Sequence, residues 1–125
     1  ALTMSFVTLT VVLVDDDARY RRVARLALES EGVSVLAEAG DGCEAVRVLE
    51  DSRADVVLLD IGLPGMSGSE VARRLRGVGG GPVVILISSR GADYGHRVAE
   101  GIAAGFIAKD VLCLAAIERL LVDSM

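Results

Sequence analysis

The sequence predicts a doubly wound parallel α/β sheet, and three observations carry the prediction. Short β-branched runs alternate along the whole chain with amphipathic stretches of helical period. The run "DVVLLD" is apolar without interruption, as a central strand covered on both faces should be. Helices between successive strands imply right-handed crossovers, and these force parallel pairing.

Each element has its own signal. "FVTLTVVLV" (6–14) reads as a strand. "ARYRRVARLALES" (18–30) reads as a helix, with Val23, Leu26, Ala27 and Ser30 on one stripe and arginines elsewhere; Gly32 stops it. "VSVLAEA" (33–39) is a second strand. Asp41 with Glu44 forms a capping box that opens a helix running through Asp51. "DVVLLD" (55–60) is the third strand. Ser67 with Glu70 is a second capping box, and its helix runs to about Val78. "GVGGGP" is a connector, "PVVILIS" (82–88) the fourth strand and "DYGHRVAEGIAA" (93–104) a helix weakened by Gly95 and Gly101. "GFIAK" holds a short fifth strand, and residues 110–124 form a last helix. Five βα units in one chain of this length point to a flavodoxin-like (βα)5 fold with a five-stranded parallel sheet in the order 2-1-3-4-5.

Composition narrows the function. With 125 residues, 52% of them apolar, the chain suffices for one cored domain. A net charge of −5 argues against this segment gripping nucleic acid by itself. The arginines at 19, 21, 22 and 25 read as a solvated helix face. Cys43 and Cys113 show no CxxC spacing and read as packing residues in helices, which fits a reducing, cytoplasmic location. No apolar run reaches membrane-spanning length, so no membrane partner is expected. His96, on a polar stretch, reads as solvent-exposed.

Ligands of such sheets bind at the carboxyl ends of the strands, where strand order reverses. Those ends carry Asp15, Asp16 and Asp17 on strand one, Asp60 on strand three, Ser88 and Ser89 on strand four, and Lys109 on strand five. Clustered carboxylates repel one another unless a cation joins them, and Mg²⁺ prefers oxygen ligands while keeping positions open for phosphate oxygens. A lysine and a hydroxyl can hold the same anion, and an aspartate can form an acyl phosphate. Asp17 reads as a cap of the first helix rather than as a ligand. "GVGGGP" follows a helix and precedes a strand, the wrong context for a phosphate cradle.

Four blocks, "VVLVDDDARYRR", "DVVLLDIGLPGMSGSE", "PVVILISS" and "GFIAKD", resemble the receiver domain of two-component response regulators, in the right order over about residues 7 to 124. The resemblance implies one receiver domain over 6–124 with no output domain in this chain. It implies that Asp60 accepts a phosphoryl group from a sensor histidine kinase, and that Asp15 and Asp16, with Asp60 and the backbone carbonyl of Gly62, hold Mg²⁺ (or Mn²⁺). It makes Ser88 the switch hydroxyl, Lys109 the phosphoryl-pairing lysine and Phe106 the switch aromatic, although Phe106 also reads as a static core residue. Lys109 is followed by Asp110 rather than proline, a feature common in the NarL/LuxR-type branch, so a DNA-binding transcriptional output is implied. Gly62 stands where the family tunes dephosphorylation. Such a domain assists its own phosphorylation and dephosphorylation but is not otherwise an enzyme.

The last helix carries Val111, Leu112 and Leu120 besides Leu114, Ile117 and Leu121. It reads either as a partner surface, for a homodimer or an output domain, or as a core helix with scattered exposed leucines. Other classes remain. A dehalogenase-like phosphatase needs a second aspartate two residues after the nucleophile, where this chain has Gly62. A stand-alone receiver acting by protein contact or in a phosphorelay, or a receiver-like module regulated without phosphate, would share the same fold.

Overall fold

A computed structural model describes residues 8–66, 68–76, 81–89 and 103–123. In chain order it contains β1 (Thr10–Val14), α1 (Ala18–Ser30), β2 (Ser34–Ala39), α2 (Gly42–Asp51), β3 (Val56–Asp60), α3 (Gly68–Arg76), β4 (Val83–Ser88), β5 (Gly105–Ala108), a 3-10 turn (Lys109–Val111) and α4 (Leu114–Asp123). The strands form one five-stranded sheet in the order β2-β1-β3-β4-β5. Every pairing is parallel. This is the predicted flavodoxin-like order.

The period of two along each strand builds two cores. Val12, Val14, Val57, Leu59, Leu86 and Phe106 face one side, where α2 and α3 pack with Ala45, Leu49, Val71 and Leu75. Val11, Leu13, Leu58, Ile85, Ile87 and Ile107 face the other, where α1 brings Ala24 and Leu28 and α4 brings Ile117. β3 is buried along its whole length, as its unbroken apolar run predicts. Two glycines allow neighbouring segments to approach closely. A Cβ at Gly105 would fall 2.6 Å from Leu120 Cδ2, and one at Gly42 would fall 2.7 Å from Met66 Cβ.

Several boundaries and faces differ from expectation. The stripe of α1 that turns inward is Tyr20, Ala24 and Leu28; Val23 and Leu26 are 60% and 63% exposed. Arg21 and Arg25 flank the buried stripe, and their guanidiniums reach over the sheet edge to Glu38 of β2, at 3.0 and 2.7 Å. The last helix starts at Leu114, not at 110, because the chain first makes the 3-10 turn and then extends at Leu112. Glu31, just past α1, accepts a hydrogen bond from the Leu114 amide at 3.0 Å and helps satisfy that late start. Leu112, Leu114, Leu120 and Leu121 of this segment pack against the core, whereas Val111 and Val122 are exposed. Cys43 is on α2 but exposed, and Cys113 precedes α4, so the packing role expected of Cys43 fails.

The capping box of α2 forms with one change. The Glu44 amide donates to Asp41 Oδ1 at 2.8 Å, but Glu44 Oε1 accepts from Gly40, one residue before the expected amide. The helix expected over 93–104, with His96, lies outside the described residues apart from the bend at 103–104, as do Ser67 and Val78. Among the described residues no helix is long and apolar enough to cross a membrane.

Candidate functional site

The carboxyl ends of β1, β3, β4 and β5 meet at one rim. Asp15 follows β1 and extends its ladder by one bond, its amide donating to Ala39 at 3.0 Å. That bond carries the side chain inward, and Asp15 is completely buried. Its Oδ1 accepts from the Asp17 amide at 2.9 Å, and the Arg21 guanidinium donates to its carbonyl. Asp60 is the last residue of β3, and its Oδ1 accepts from the Gly62 amide at 3.2 Å. Ser88 ends β4, buried and opposite Ala108 of β5. Lys109 comes directly after β5 and points back over the rim.

The charges interlock. Lys109 Nζ lies 2.6 Å from Asp15 Oδ2 and 3.5 Å from Asp60 Oδ2. Asp15 Oδ2 accepts no well-directed hydrogen bond among the described residues, so the ammonium compensates it as an ion pair. Burial pushes the Asp60 carboxyl above its usual range; the Gly62 amide opposes this, Asp15 adds to it and Lys109 opposes it. Burial works against the charge of Lys109, but Asp15 and Asp60 outweigh it and raise its pKa. Asp15, Asp16 and Asp60 each offer an oxygen, and these lie within 4.8 Å of one another. Three hard oxygen donors, one of them on exposed Asp16, suit Mg²⁺ or Mn²⁺. A cavity of about 450 Å³ opens beside them, lined by Asp16, Asp17, Asp60, Gly62, Ser88 and Lys109 among others.

The structure therefore brings together Asp15, Asp16, Asp60, Gly62, Ser88 and Lys109. Asp17 is the N-cap of α1, its Oδ1 accepting from Arg19 at 3.0 Å and Tyr20 at 3.2 Å. Phe106 lies away from the cavity, buried in the core of the α2–α3 side. A Cβ on Gly62 would meet Asp60 Oδ1 at 4.0 Å, so this position leaves the carboxylate open on one side.

One residue at the site was not foreseen. Tyr20 of α1 donates from its hydroxyl to the Lys109 carbonyl at 3.2 Å, and the Lys109 ammonium lies 4.8 Å from its ring centroid. Its pKa is pushed up to about 12 by burial and then by Asp15, Asp60 and Asp110. The hint in the sequence is an aromatic in the first turn of a helix that begins at a charged rim.

Residues 11–120 match the response regulator receiver domain family. The nitrate/nitrite response regulator protein NarP of Escherichia coli is 37% identical over 103 residues, 80% of this chain and 47% of NarP. The DNA-binding response regulator MtrA of Mycobacterium tuberculosis is 42% identical over 76 residues, 61% of this chain and 33% of MtrA. The chain thus spans between a third and a half of these relatives. Among solved structures, a LuxR-family two-component response regulator from Aurantimonas superposes with a TM-score of 0.79 at 30% identity, covering 94% of this chain and 87% of that one. The CheX-CheY-BeF3-Mg complex from Borrelia burgdorferi gives a TM-score of 0.76 at 28% identity, covering 93% and 88%.

Proposed function

Because the chain belongs to the response regulator receiver domain family, we propose that it accepts a phosphoryl group on Asp60 from the phosphohistidine of a sensor histidine kinase. A carboxylate oxygen of Asp60 attacks phosphorus, an O–P bond forms, the N–P bond breaks, and the imidazole leaves and takes up a proton. The product is an acyl phosphate on Asp60. Asp15 and Asp16, with Asp60 and the backbone carbonyl of Gly62, would hold Mg²⁺ or Mn²⁺. Such an ion, when bound, neutralises charge on the phosphoryl oxygens.

The protein's own groups do the rest. The Gly62 amide steadies the Asp60 carboxylate through Oδ1. Lys109, held 3.5 Å from Asp60 Oδ2, supplies positive charge where phosphoryl oxygens arrive. Ser88, at the end of β4 on the cavity wall, offers a hydroxyl to the same oxygens and relays their arrival to the segment that follows. The Phe106 ring, one strand away, is the packing element that would answer Ser88. The readout we assign is transcriptional, through a DNA-binding output domain, by analogy with the DNA-binding response regulator MtrA. The domain assists its own phosphorylation and is not otherwise an enzyme. It works in the cytoplasm, where kinase and DNA are both in reach, and a homodimer of the phosphorylated form fits the same role.

The convergence of three carboxylate oxygens within 4.8 Å, with one lysine between two of them, carries this reading. The test is incubation with radiolabelled acetyl phosphate. Label should appear on the wild type with Mg²⁺, vanish with a chelator, and be absent from Asp60→Asn. A labelled Asp60→Asn variant would show the acceptor to be wrong.

A further inference from the structure

We infer that Tyr20 is the positioning residue of Lys109, fixing the lysine's main chain with its hydroxyl and bearing the ammonium on its ring so that the charge stays between Asp15 and Asp60. The inference rests on the function proposed above and adds a part to that site.

Lys109 needs such a device. Its backbone has left β5 and entered a 3-10 turn with no side-chain cap. Its stem is long and flexible, and its ammonium must serve two carboxylates on different strands. Tyr20 meets both ends of this residue. Its hydroxyl donates to the Lys109 carbonyl at 3.2 Å, and its ring centroid lies 4.8 Å from Nζ. The hydroxyl remains protonated at neutral pH and so remains a donor.

The ring face suits the task for a physical reason. A cation over an aromatic face is attracted without a fixed hydrogen-bond direction. The ammonium can therefore shift from Asp15, 2.6 Å away, toward Asp60, 3.5 Å away, without leaving the ring. A carboxylate in the same place would trap it, and an aliphatic side chain would give it nothing. The platform is itself anchored. Tyr20 sits in the first turn of α1, and its amide donates to the Asp17 cap at 3.2 Å. One short segment, residues 15 to 20, thus carries the acidic pair at one end and the support of the lysine at the other.

Tyr20→Phe and Tyr20→Leu in the full chain, each with and without Lys109→Met, test this. Initial labelling by acetyl phosphate should fall by about three- to tenfold in Tyr20→Leu and by less in Tyr20→Phe, which keeps the ring. Neither change should slow labelling further once Lys109 is Met. The Lys109 Cε protons should resonate upfield, under the ring current, in the wild type and Tyr20→Phe, and return to an ordinary lysine position in Tyr20→Leu. An equal loss from Tyr20→Leu in both backgrounds would make Tyr20 a structural residue and overturn the inference. So would a Lys109 signal that does not move in Tyr20→Leu. A wild type that takes no label would instead sink the proposed function, and the Lys109 signal would then decide the placement by itself.

Discussion

Asp15, Asp16 and Asp17 are adjacent in sequence and have three different environments. Asp15 is fully buried and ion-paired, Asp16 is exposed at the rim, and Asp17 caps a helix. The rule that ligands gather at strand ends draws Asp15, Asp16, Asp17, Asp60, Ser88, Ser89 and Lys109 from the sequence, because the ends of the apolar runs place them. Capping, a local signal, then separates Asp17. Tyr20 was not legible in this way. Its partner is 89 positions away, and no local pattern encodes that meeting. The division among the aspartates has a measurable consequence. Asp17→Ala removes the acceptor for two amides and should lower stability to urea by about 1 kcal/mol. Calorimetric titration with Mg²⁺ should give the wild-type affinity. A stable variant with weakened Mg²⁺ binding would move Asp17 from cap to ligand.

On the scale of one element, α1 shows what a periodic pattern leaves open. Two stripes on this helix could have faced the core, Val23–Leu26–Ala27 or Tyr20–Ala24–Leu28. Each carries three apolar residues, so a count does not separate them. The fold takes the second, burying Ala24 and Leu28, and Arg21 and Arg25 then lie along the edge of β2 and share Glu38. Arg25 also donates to the Val35 carbonyl at 3.2 Å, satisfying part of the sheet edge. The start of the last helix is likewise set from outside its own sequence, as Glu31 accepts from the Leu114 amide 83 positions away. The clamp on Glu38 can be tested by pH. Its hydrogen bond with Arg25, opposed by burial and aided by Arg21, holds the carboxyl below its ordinary 4.5. A depressed carboxyl stabilises the fold above its unfolded pKa, and that contribution is lost as pH falls through the folded value. Partly exposed pairs of this kind contribute about 0.2–1 kcal/mol each. Glu38→Gln should therefore melt below the wild type at pH 7, and the two should converge well below pH 4.5. A difference that persists at low pH would assign the effect to packing instead.

At the scale of the whole molecule, the site belongs to the sheet and not to any one loop. Its groups stand at the ends of β1, β3, β4 and β5, four neighbours in the strand order. The order itself was legible from the rhythm of the chain, because crossovers of fixed hand leave few ways to arrange five parallel strands. A ligand held by all four ends should resist separation of strands from both layers of the core at once. It should therefore stabilise the domain as one unit, as long as unfolding is two-state. On the proposed function, Mg²⁺ with beryllofluoride stands in for the acyl phosphate. At 100 times its dissociation constant such a ligand adds about 2.7 kcal/mol. For a domain of this size that corresponds to a rise in melting temperature of roughly 5–15 °C. Scanning calorimetry should show a single transition moved upward, with no shift from beryllofluoride in Asp60→Asn. An equal shift in that variant would place the ligand elsewhere. A transition that splits in two would mean that the site fastens only part of the sheet, and that the four strand ends do not act together.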